Sequence, residues 1–297
     1  MKKSIWVGTA VLAAALGATG AAQAQDTLKK IKDSGSITIG HRDASVPFSY
    51  YDDKQRPVGY AMDLCHRIVD AVKSDLKMPK LEVKYQLVTS ANRIPLMANG
   101  TIDLECGSTT NSVERQKQVS FGPTYFVINV SAAVKKSSGI KSFRDLNGKT
   151  IASTSGTTAI PLLRGYEKAK GIDFKEIQAK DHAESMQLLA TDRAQAFIMD
   201  DILLAGQIAN QPNPGDYTIL GESLRTEPYG MMLRKDDPQF KAIVDKTVAA
   251  VYKSGEINKM YAKWFTSPIP PRGINLNFPM TPAIKEAFAN PNDKGVQ

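Results

Sequence analysis

The chain has 297 residues, of which 38 are Lys or Arg and 30 are Asp or Glu, so its formal net charge is +8 at pH 7. The basic residues are scattered among acidic ones and form no run, which argues against a nucleic-acid partner and favours small anionic ligands. The length is sufficient for two packed cores.

The first 24 residues have the pattern of a secretory signal peptide. Lys2 and Lys3 precede a mostly apolar run, and small residues end in Ala22-Gln23-Ala24, an A-x-A cleavage site. The apolar run is shorter than the roughly 20 residues that a membrane span needs. We therefore expect cleavage after residue 24 and a periplasmic protein. Gln25 stands where a lipoprotein would need a cysteine, so we expect no lipid anchor.

The two cysteines, Cys65 and Cys106, allow two interpretations. In an oxidising compartment they can form a disulfide, with a helix that carries Cys65 lying over a strand that carries Cys106. Alternatively both are buried free thiols, since cysteine is among the most buried residue types. The histidines, His41, His66 and His182, are dispersed without a cysteine or carboxylate cluster, so we expect no metal site.

After residue 24 the chain alternates strand-like and helix-like segments, which predicts an α/β fold with helices packed on a mostly parallel sheet. The first set of alternating strands and helices is Ser36–Gly40, Gly59–Lys73, Leu81–Val88, Asn92–Asn99 and Ile102–Cys106. The second set is Lys149–Ser153, Thr158–Lys170, Phe174–Ala179, His182–Ala190, Ala196–Met199 and Ile202–Asn210. The two sets predict two lobes that share an architecture.

Two extended runs connect these sets. Val127–Val134 lies between them, and Tyr229–Arg234 follows the second set. Two such crossings predict that a central lobe is inserted into a discontinuous one, with both crossings acting as hinge strands. The predicted lobe bounds are 25–130 with 228–297, and 131–227. A helical region, Pro238–Trp264, breaks at Gly255 and precedes the proline-rich run Ser267–Arg272, which cannot continue a helix.

The segment Gly107–Arg115 is a candidate site for a carboxylate. It follows the last strand of the first set and leads into a polar helical start, where Asn111 and Glu114 have N-cap and N3 spacing. A helix N-terminus favours an anion, and Arg115 in the first helical turn can bind the same carboxylate through two parallel hydrogen bonds. The alternative is an ordinary capped helix with a solvated arginine.

Further candidates follow from the position of ligands in such sheets, which lie beyond the carboxyl ends of the strands. The polar side chains that follow strands are Arg42, Ser90, Arg93, Ser108, Thr110, Arg115, Thr158, His182 and Asp200. The three arginines and Asp200 give a net charge of +2, which favours an acidic ligand over a zwitterion. His182 can instead be a structural helix cap beside Asp181, and Asp201 is the expected N-cap of the next helix.

Several motifs resemble those of a known family. They are Gly40–Asp52, Asn92–Leu96, Glu105–Asn111 with Val113–Gln118, Thr154–Thr158, Ala179–His182, Met199–Asp201, Met232–Phe240 and Asn258–Pro271. On these motifs the chain resembles the periplasmic solute-binding proteins of polar-amino-acid ABC importers, and among them the glutamate/aspartate-binding group. The resemblance covers nearly all of the chain after residue 24. It implies a two-lobed type II periplasmic-binding-protein fold, with two mixed or parallel sheets flanked by helices and joined by two hinge strands.

The resemblance also implies a role for each candidate residue. The α-carboxylate of the ligand would be held by Arg115 and Thr158. The α-ammonium would be held by Asp200, Ser108 and Thr110. The side-chain carboxylate of L-glutamate or L-aspartate would be held by Arg42, Ser90, Arg93 and His182. The implied partner is the permease of an ABC importer, and we expect a monomer that needs no cofactor.

Other function classes fit the same fold. A binding protein for another polar amino acid is one. A periplasmic enzyme such as a dehydratase would need a general acid or base with a tuned pKa, whereas the candidates are mostly permanent cations and hydroxyls, with Asp200 as the only obvious carboxylate. A sensor module would need a tether or a signalling domain, and we expect neither. Aspartate and glutamate are not ranked by the sequence, because one methylene is worth only about 1–3 kcal/mol.

Overall fold

The structure is a computed structural model, and it describes residues 26–297. The predicted signal peptide, residues 1–24, lies outside the described residues. Within residues 26–297, no helix combines the length and the apolar character that crossing a membrane requires.

The first lobe begins with the alternation that the sequence predicts. Its elements are α1 (Thr27–Ser34), β1 (Ser36–His41), β2 (Ala44–Ser45), β3 (Ser49–Tyr51), β4 (Pro57–Val58), α2 (Tyr60–Asp75), β5 (Glu82–Leu87), α3 (Arg93–Ala98), β6 (Leu104–Cys106) and α4 (Val113–Gln116). The predicted strands and helices lie within two residues of the observed bounds. The helical start predicted in the Gly107–Arg115 segment is observed as α4, whereas the prediction lacked α1 and the small antiparallel sheet β2-β3-β4.

The second lobe repeats the alternation. Between two long strands, β7 (Val119–Lys135) and β12 (Arg225–Arg234), its elements are β8 (Thr150–Thr154), α5 (Ala159–Lys170), β9 (Lys175–Ala179), α6 (His182–Ala190), β10 (Ala196–Asp200), α7 (Asp201–Ala209) and β11 (Tyr217–Ile219). The chain then forms α8 (Pro238–Lys253), α9 (Glu256–Phe265) and α10 (Pro282–Ala289). The predicted break at Gly255 separates α8 from α9, while α10 was missed.

The main sheet explains why the candidate residues converge. Its strand order is β5-β1-β6-β12-β7-β10-β8-β9, with β11 also paired to β7. The three strands at each end are parallel, and both ends use the same order, in which the first strand of the lobe lies between the second and the third. The carboxyl ends of parallel strands meet at one edge, so each lobe collects the polar residues that follow its strands.

The hinge strands join the sheets of the two lobes into one sheet, whereas two separate sheets were predicted. β7 and β12 pair antiparallel along most of their length, from Arg225 opposite Val130 to Arg234 opposite Val119. Their hydrogen bonds make the two predicted sheets continuous through the hinge. The crossings predicted at Val127–Val134 and Tyr229–Arg234 are confirmed as strands, but both strands are longer than predicted. The lobe bounds at residues 130 and 227 stay a prediction.

The core of the first lobe rests on the spacing of apolar residues in α2. Leu64, Ile68 and Val72 recur at helical spacing, and all three are fully buried. Cys65 on the same helix forms a disulfide with Cys106 at the end of β6. Of the two interpretations of the cysteines, the disulfide is confirmed. It ties α2 to the strand that leads into the Gly107–Arg115 segment.

An aromatic cluster packs around the hinge strands. Phe126 on β7 stacks on Phe265 of α9 with ring centroids 4.8 Å apart, and Phe48 meets Phe126 edge to face at 4.9 Å. Tyr229 on β12 packs against Phe48 at 5.3 Å. Such pairs hold the rings in fixed orientations. The buried hydroxyl of Tyr229 is therefore presented at a defined point between the lobes.

Candidate ligand-binding site

The predicted site residues meet in a small cavity between the two lobes. The cavity is lined by Ser90, Arg93, Ser108, Thr110, Arg115, Thr157, Thr158, His182, Met199, Asp200 and Leu203. Eight of the nine predicted residues are therefore brought together. The ninth, Arg42, is fully buried behind His182, with its Nη2 3.5 Å from His182 Nε2.

Arg115 is positioned by the first turn of α4. The N-cap of this helix is Ser112, whose Oγ accepts from the backbone N–H of Arg115 at 3.3 Å, so the prediction of Asn111 as N-cap is wrong. Both residues are good caps, but the Asn111 side chain is engaged by Gln116 and the carbonyl of Asp293. The guanidinium donates to the carbonyl of Thr110 at 3.0 Å, which aims it at the cavity.

A second group of donors comes from Arg93, Ser90 and Arg42. Arg93, the first residue of α3, donates to the carbonyl of Ser108 at 3.2 Å. Its Nε, the Oγ of Ser90, and the Nε and Nη1 of Arg42 are all buried without a hydrogen-bond partner in the part of the chain that the structure describes. Burial, and then the charge of Arg93, lower the pKa of Arg42 to about 10. Arg42 thus remains a cation at neutral pH.

His182 lies between Arg42 and the second lobe. Its Nδ1 is 3.0 Å from the hydroxyl of Thr154, and the N-cap of α6 is Asp181, which leaves His182 at the first helical position. Burial and the charges of Arg42 and Arg93 hold the pKa of His182 well below its usual range, so the ring is neutral at pH 7. Because Arg42 can only donate, Nε2 accepts from it and the ring proton lies on Nδ1.

Glu227 was missed by the sequence analysis. This fully buried carboxylate on β12 accepts from the hydroxyls of Thr110 and Thr158, each at 2.7 Å, and so joins a threonine from each lobe. Its other oxygen is paired with Arg225 at 2.5 Å. Residues 225 and 227 lie two apart on a strand, so their side chains share a face, and this spacing was the signal available in the sequence.

Asp200 ends β10 at the cavity wall. One carboxyl oxygen accepts from the hydroxyl of Tyr229, while the other, Oδ1, is buried without a hydrogen-bond partner among residues 26–297. Burial first, and then the nearby charge of Glu227, raise the pKa of Asp200 to about 8. The prediction of Asp201 as N-cap is wrong. Asp200 occupies the cap position of α7, and the Asp201 carboxylate instead accepts from Asn129.

Glu105 on β6 is another buried carboxylate that was missed. It accepts from the hydroxyl of Thr109 at 2.7 Å. A Cβ at residue 107 would lie 2.2 Å from Glu105 Oε1 and 3.0 Å from the Arg42 side chain, which explains the glycine there. The sequence signal was a glutamate inside an otherwise buried strand. Asp200, expected from the sequence to be the only obvious carboxylate of the site, is therefore accompanied by Glu105 and Glu227.

The additional residues change the charge of the site. Arg42, Arg93 and Arg115 are joined by Arg225, and Asp200 is joined by Glu105 and Glu227. With every group ionised the net charge is +1, and with Asp200 protonated it is +2. The value of +2 predicted from the arginines and Asp200 alone rested on an incomplete set. The site remains suited to a ligand of net charge −1.

The two lobes contact each other around the cavity. Arg115 in the first lobe donates to the carbonyl of Gly156 in the second at 3.1 Å, and Gln207 of α7 donates to the carbonyl of Ala44 at 2.7 Å. A Cβ at Gly206 would lie 2.5 Å from the carbonyl oxygen of Val46. The structure is therefore a closed arrangement of the lobes, with no room for a side chain at this contact.

Close relatives of this chain carry names that refer to amino-acid binding or import. The L-glutamate/L-aspartate-binding protein of Pseudomonas aeruginosa is 49% identical over 293 residues, which are 98% of this chain and 97% of that protein. The glutamate/aspartate import solute-binding protein of Escherichia coli (strain K12) is 49% identical over 295 residues, which are 97% of each chain.

Solved structures share the fold at lower identity. The P235GK mutant of ArgBP from T. maritima has a TM-score of 0.71 at 26% identity, covering 80% of this chain and 98% of that chain. The ancestral amino acid-binding protein AncCDT-1, a precursor of cyclohexadienyl dehydratase, has a TM-score of 0.70 at 26% identity, covering 81% of this chain and 100% of that chain. The predicted two-lobed type II periplasmic-binding-protein fold is confirmed. Residues 37–267 match the family model as well, and the chain belongs to the bacterial extracellular solute-binding proteins, family 3.

Proposed function

We propose that this protein captures L-glutamate or L-aspartate between its lobes in the periplasm and delivers it, as a monomer, to the permease of an ABC importer. The names of relatives at 49% identity support this ligand class. In this proposal the signal peptide is removed, the first lobe comprises residues 25–130 and 228–297, and the inserted lobe comprises residues 131–227.

One observation carries the proposal: among residues 26–297, unpartnered donors and unpartnered acceptors are buried in and around the cavity. The donors are on Arg42, Ser90 and Arg93, and the acceptors are Oδ1 of Asp200 and Oε1 of Glu105. Leaving a buried polar group unpaired costs about 1–3 kcal/mol, and more when it is charged. A ligand with a carboxylate at one end and an ammonium near the other satisfies both sets of atoms.

The hydroxyl directions refine the expected roles. Thr110 and Thr158 donate their hydroxyl protons to Glu227, so each oxygen offers only lone pairs to a ligand. Thr110 therefore suits the ammonium, as the family resemblance implies. Thr158 suits the α-carboxylate through backbone N–H groups at the start of α5, where the helix dipole also favours an anion. Arg115 supplies the cation for this carboxylate.

Selectivity for an acidic ligand rests on the other end of the cavity. The guanidinium groups of Arg42 and Arg93 can only donate, whereas the hydroxyl of Ser90 can donate or accept. A side-chain carboxylate accepts from these donors and compensates the two buried cations, whereas the neutral side-chain amide of glutamine leaves the cations uncompensated. His182 faces Arg42 with a lone pair, so its direct contact with the ligand requires the ring proton to move to Nε2.

A catalytic role is the alternative that Asp200 raises. A carboxyl with a pKa of about 8 is an acid that an enzyme can use. We propose that this carboxyl instead accepts the ligand ammonium, because its free oxygen lies in the same cavity as Thr110 and Arg115. Incubation of glutamate with the protein, followed by mass analysis of the ligand, tests this choice, and recovery of unchanged glutamate is the expected result.

Calorimetric titration tests the proposed ligand. The protein is unfolded, dialysed and refolded to remove bound ligand, and then titrated with glutamate, aspartate, glutamine and asparagine. We expect one-to-one binding of both acids, with the amides at least about tenfold weaker, a gap of about 1.4 kcal/mol. Equal affinity for glutamate and glutamine would refute the acidic-ligand proposal and leave only the family.

A further inference from the structure

The last residues of the sequence lie against the segment that carries two of the site residues. We call residues 292–297 the C-terminal strap. Val296 pairs in parallel with Ser112, and its carbonyl accepts from Val113 N–H at 2.9 Å while its N–H donates to Asn111 at 3.0 Å. The strap begins at Asn292, whose carbonyl accepts from Thr124 N–H on β7 at 2.8 Å. The family match ends at residue 267, before the strap.

Side chains strengthen this attachment. The carbonyl of Asp293 accepts from Asn111 and from Gln116, each at 2.9 Å. The carboxylate of Asp293 pairs with Lys241 on α8 at 2.8 Å. At its end, the strap reaches the hinge, where the backbone oxygen of Gln297 accepts from Arg225 at 2.6 Å. Arg225 also forms an ion pair with Glu227, the carboxylate that accepts hydrogen bonds from the hydroxyls of Thr110 and Thr158.

The segment at Thr110 is thus held on both sides. On one side Thr110 pairs with Tyr229, and Asn111 N–H donates to the carbonyl of Pro228 at 2.8 Å. On the other side the carbonyl of the same Asn111 accepts from the strap. The carbonyl of Thr110 in turn fixes the guanidinium of Arg115. Without the strap, one edge of this short segment has no partner strand.

We propose that the C-terminal strap is a positioning element for the amino-acid site, because it fixes the segment that carries Thr110 and Arg115 and completes the surroundings of Glu227. This inference rests on the proposed function and deepens it. The strap acts on the residues that hold the α-carboxylate and the α-ammonium, which all amino-acid ligands share. Loss of the strap therefore lowers the affinity for every amino-acid ligand by the same factor. The end that distinguishes glutamate from glutamine is left unchanged.

Two variants and a control test the strap. Gly295→Val places a side chain where a Cβ would lie 2.9 Å from the backbone of Ser112 and Val113, so the strap is lifted. Deletion of residues 292–297 removes it. The matched control is Gly215→Val, a glycine with no atom within 4 Å of an added Cβ. At a temperature well below unfolding, we expect both strap variants to bind glutamate and glutamine about tenfold more weakly, with an unchanged ratio of the two dissociation constants. The control should bind both ligands like the wild type.

Amide hydrogen exchange of the unmodified protein provides a readout that does not depend on the folding of any variant. Coupling between two sites is reciprocal, so a ligand that binds better when the strap is seated must also seat the strap more firmly. Saturating glutamate should slow exchange at Val296 and Val113 at least about tenfold.

Two results would overturn the proposal: folded strap variants whose glutamate affinity lies within twofold of the wild type, or exchange at Val296 that glutamate does not change. A wild type that binds no acidic amino acid would refute the proposed function instead.

Discussion

The substitution Gly206→Ala is expected to change the closure of the lobes and the stability of the fold in opposite directions. Gly206 lies inside α7, where replacement of glycine by alanine normally stabilises a helix by about 0.5–1 kcal/mol. In the closed arrangement, however, the new Cβ would lie 2.5 Å from the carbonyl oxygen of Val46 and 3.1 Å from its Cβ, across the contact between the lobes. The substitution should therefore favour the folded chain while opposing closure.

The expected magnitudes have opposite signs. Overpacking a close contact costs about 1–3 kcal/mol, so glutamate affinity should fall about 5- to 150-fold. The melting temperature of the ligand-free protein should instead rise by about 1–3 °C, from the helix gain in a chain of this size. The control is Gly165→Ala on α5, a helical glycine with nothing within 4 Å of an added Cβ. This control should show the rise in melting temperature with unchanged affinity.

Three measurements together check this reasoning. Calorimetry gives the affinity, thermal unfolding gives the stability, and small-angle scattering with saturating glutamate gives the change in radius of gyration on closure. A Gly206→Ala variant that binds glutamate within twofold of the wild type would show that the contact with Val46 is absent from the bound form. A ligand-free melting temperature that falls would show that the contact is already present before binding.

Other substitutions test the two ends of the cavity and the disulfide. Arg115→Ala should cost about 2–5 kcal/mol of binding for every amino-acid ligand by calorimetry, because the ligand carboxylate loses its cation. Arg93→Ala should narrow the gap between glutamate and glutamine. Reduction of the Cys65–Cys106 bond, which closes a loop of 41 residues, should lower the free energy of unfolding by about 4 kcal/mol in denaturant titrations. Glutamate affinity should rise between pH 6 and 8, and Asp200→Asn should abolish this pH dependence.

The sequence predicted the site well where polar residues follow strands. Each lobe repeats the same strand order, so a residue just after a strand is directed to the cleft whatever the details of its loop. This rule found eight lining residues. It did not find Glu105 and Glu227, because they lie within strands, and Glu227 contacts the lining residues Thr110 and Thr158 from the sheet itself. Strand patterns alone do not tell which face of a hinge strand turns toward a ligand.

The missed elements have a similar physical reason. The strands of the small sheet β2-β3-β4 are only two or three residues long, too short for alternation to be visible. α10 did carry a start signal, since Thr281 caps it and Pro282 stands at the first position. The proline-rich run before it obscured this signal. The pairing of the strap with Ser112 joins residues almost 200 positions apart, and no local pattern encodes such a contact.

The pH dependence follows from the pKa of Asp200. In the ligand-free protein this carboxyl has a pKa of about 8 and is protonated at pH 7, so its region carries a net charge of +2. A ligand ammonium beside Oδ1 favours the ionised form and lowers that pKa. Binding then releases a proton, and affinity rises with pH, by at most about tenfold per unit, until pH exceeds 8.

The same shift opposes folding as pH increases. Between about pH 4, where an unfolded aspartate titrates, and pH 8, the folded state binds more protons than the unfolded state. The contribution of Asp200 to the free energy of unfolding therefore falls as pH rises, by at most about 1.4 kcal/mol per pH unit. Asp200→Asn should raise the melting temperature of the ligand-free protein more at pH 8 than at pH 5, in thermal scans compared with the wild type.

Charge balance connects this proton to the choice of ligand. A dicarboxylic amino acid contributes −1 and the ionisation of Asp200 contributes a second negative charge, so the region changes from +2 to neutral on binding. Glutamine is a zwitterion, and the region would keep a charge of +1, buried around Arg42 and Arg93. Titration of glutamate in buffers of different ionisation enthalpy counts the released protons. Close to one proton at pH 7 is expected, and a count near zero would show that Asp200 is already ionised before the ligand arrives.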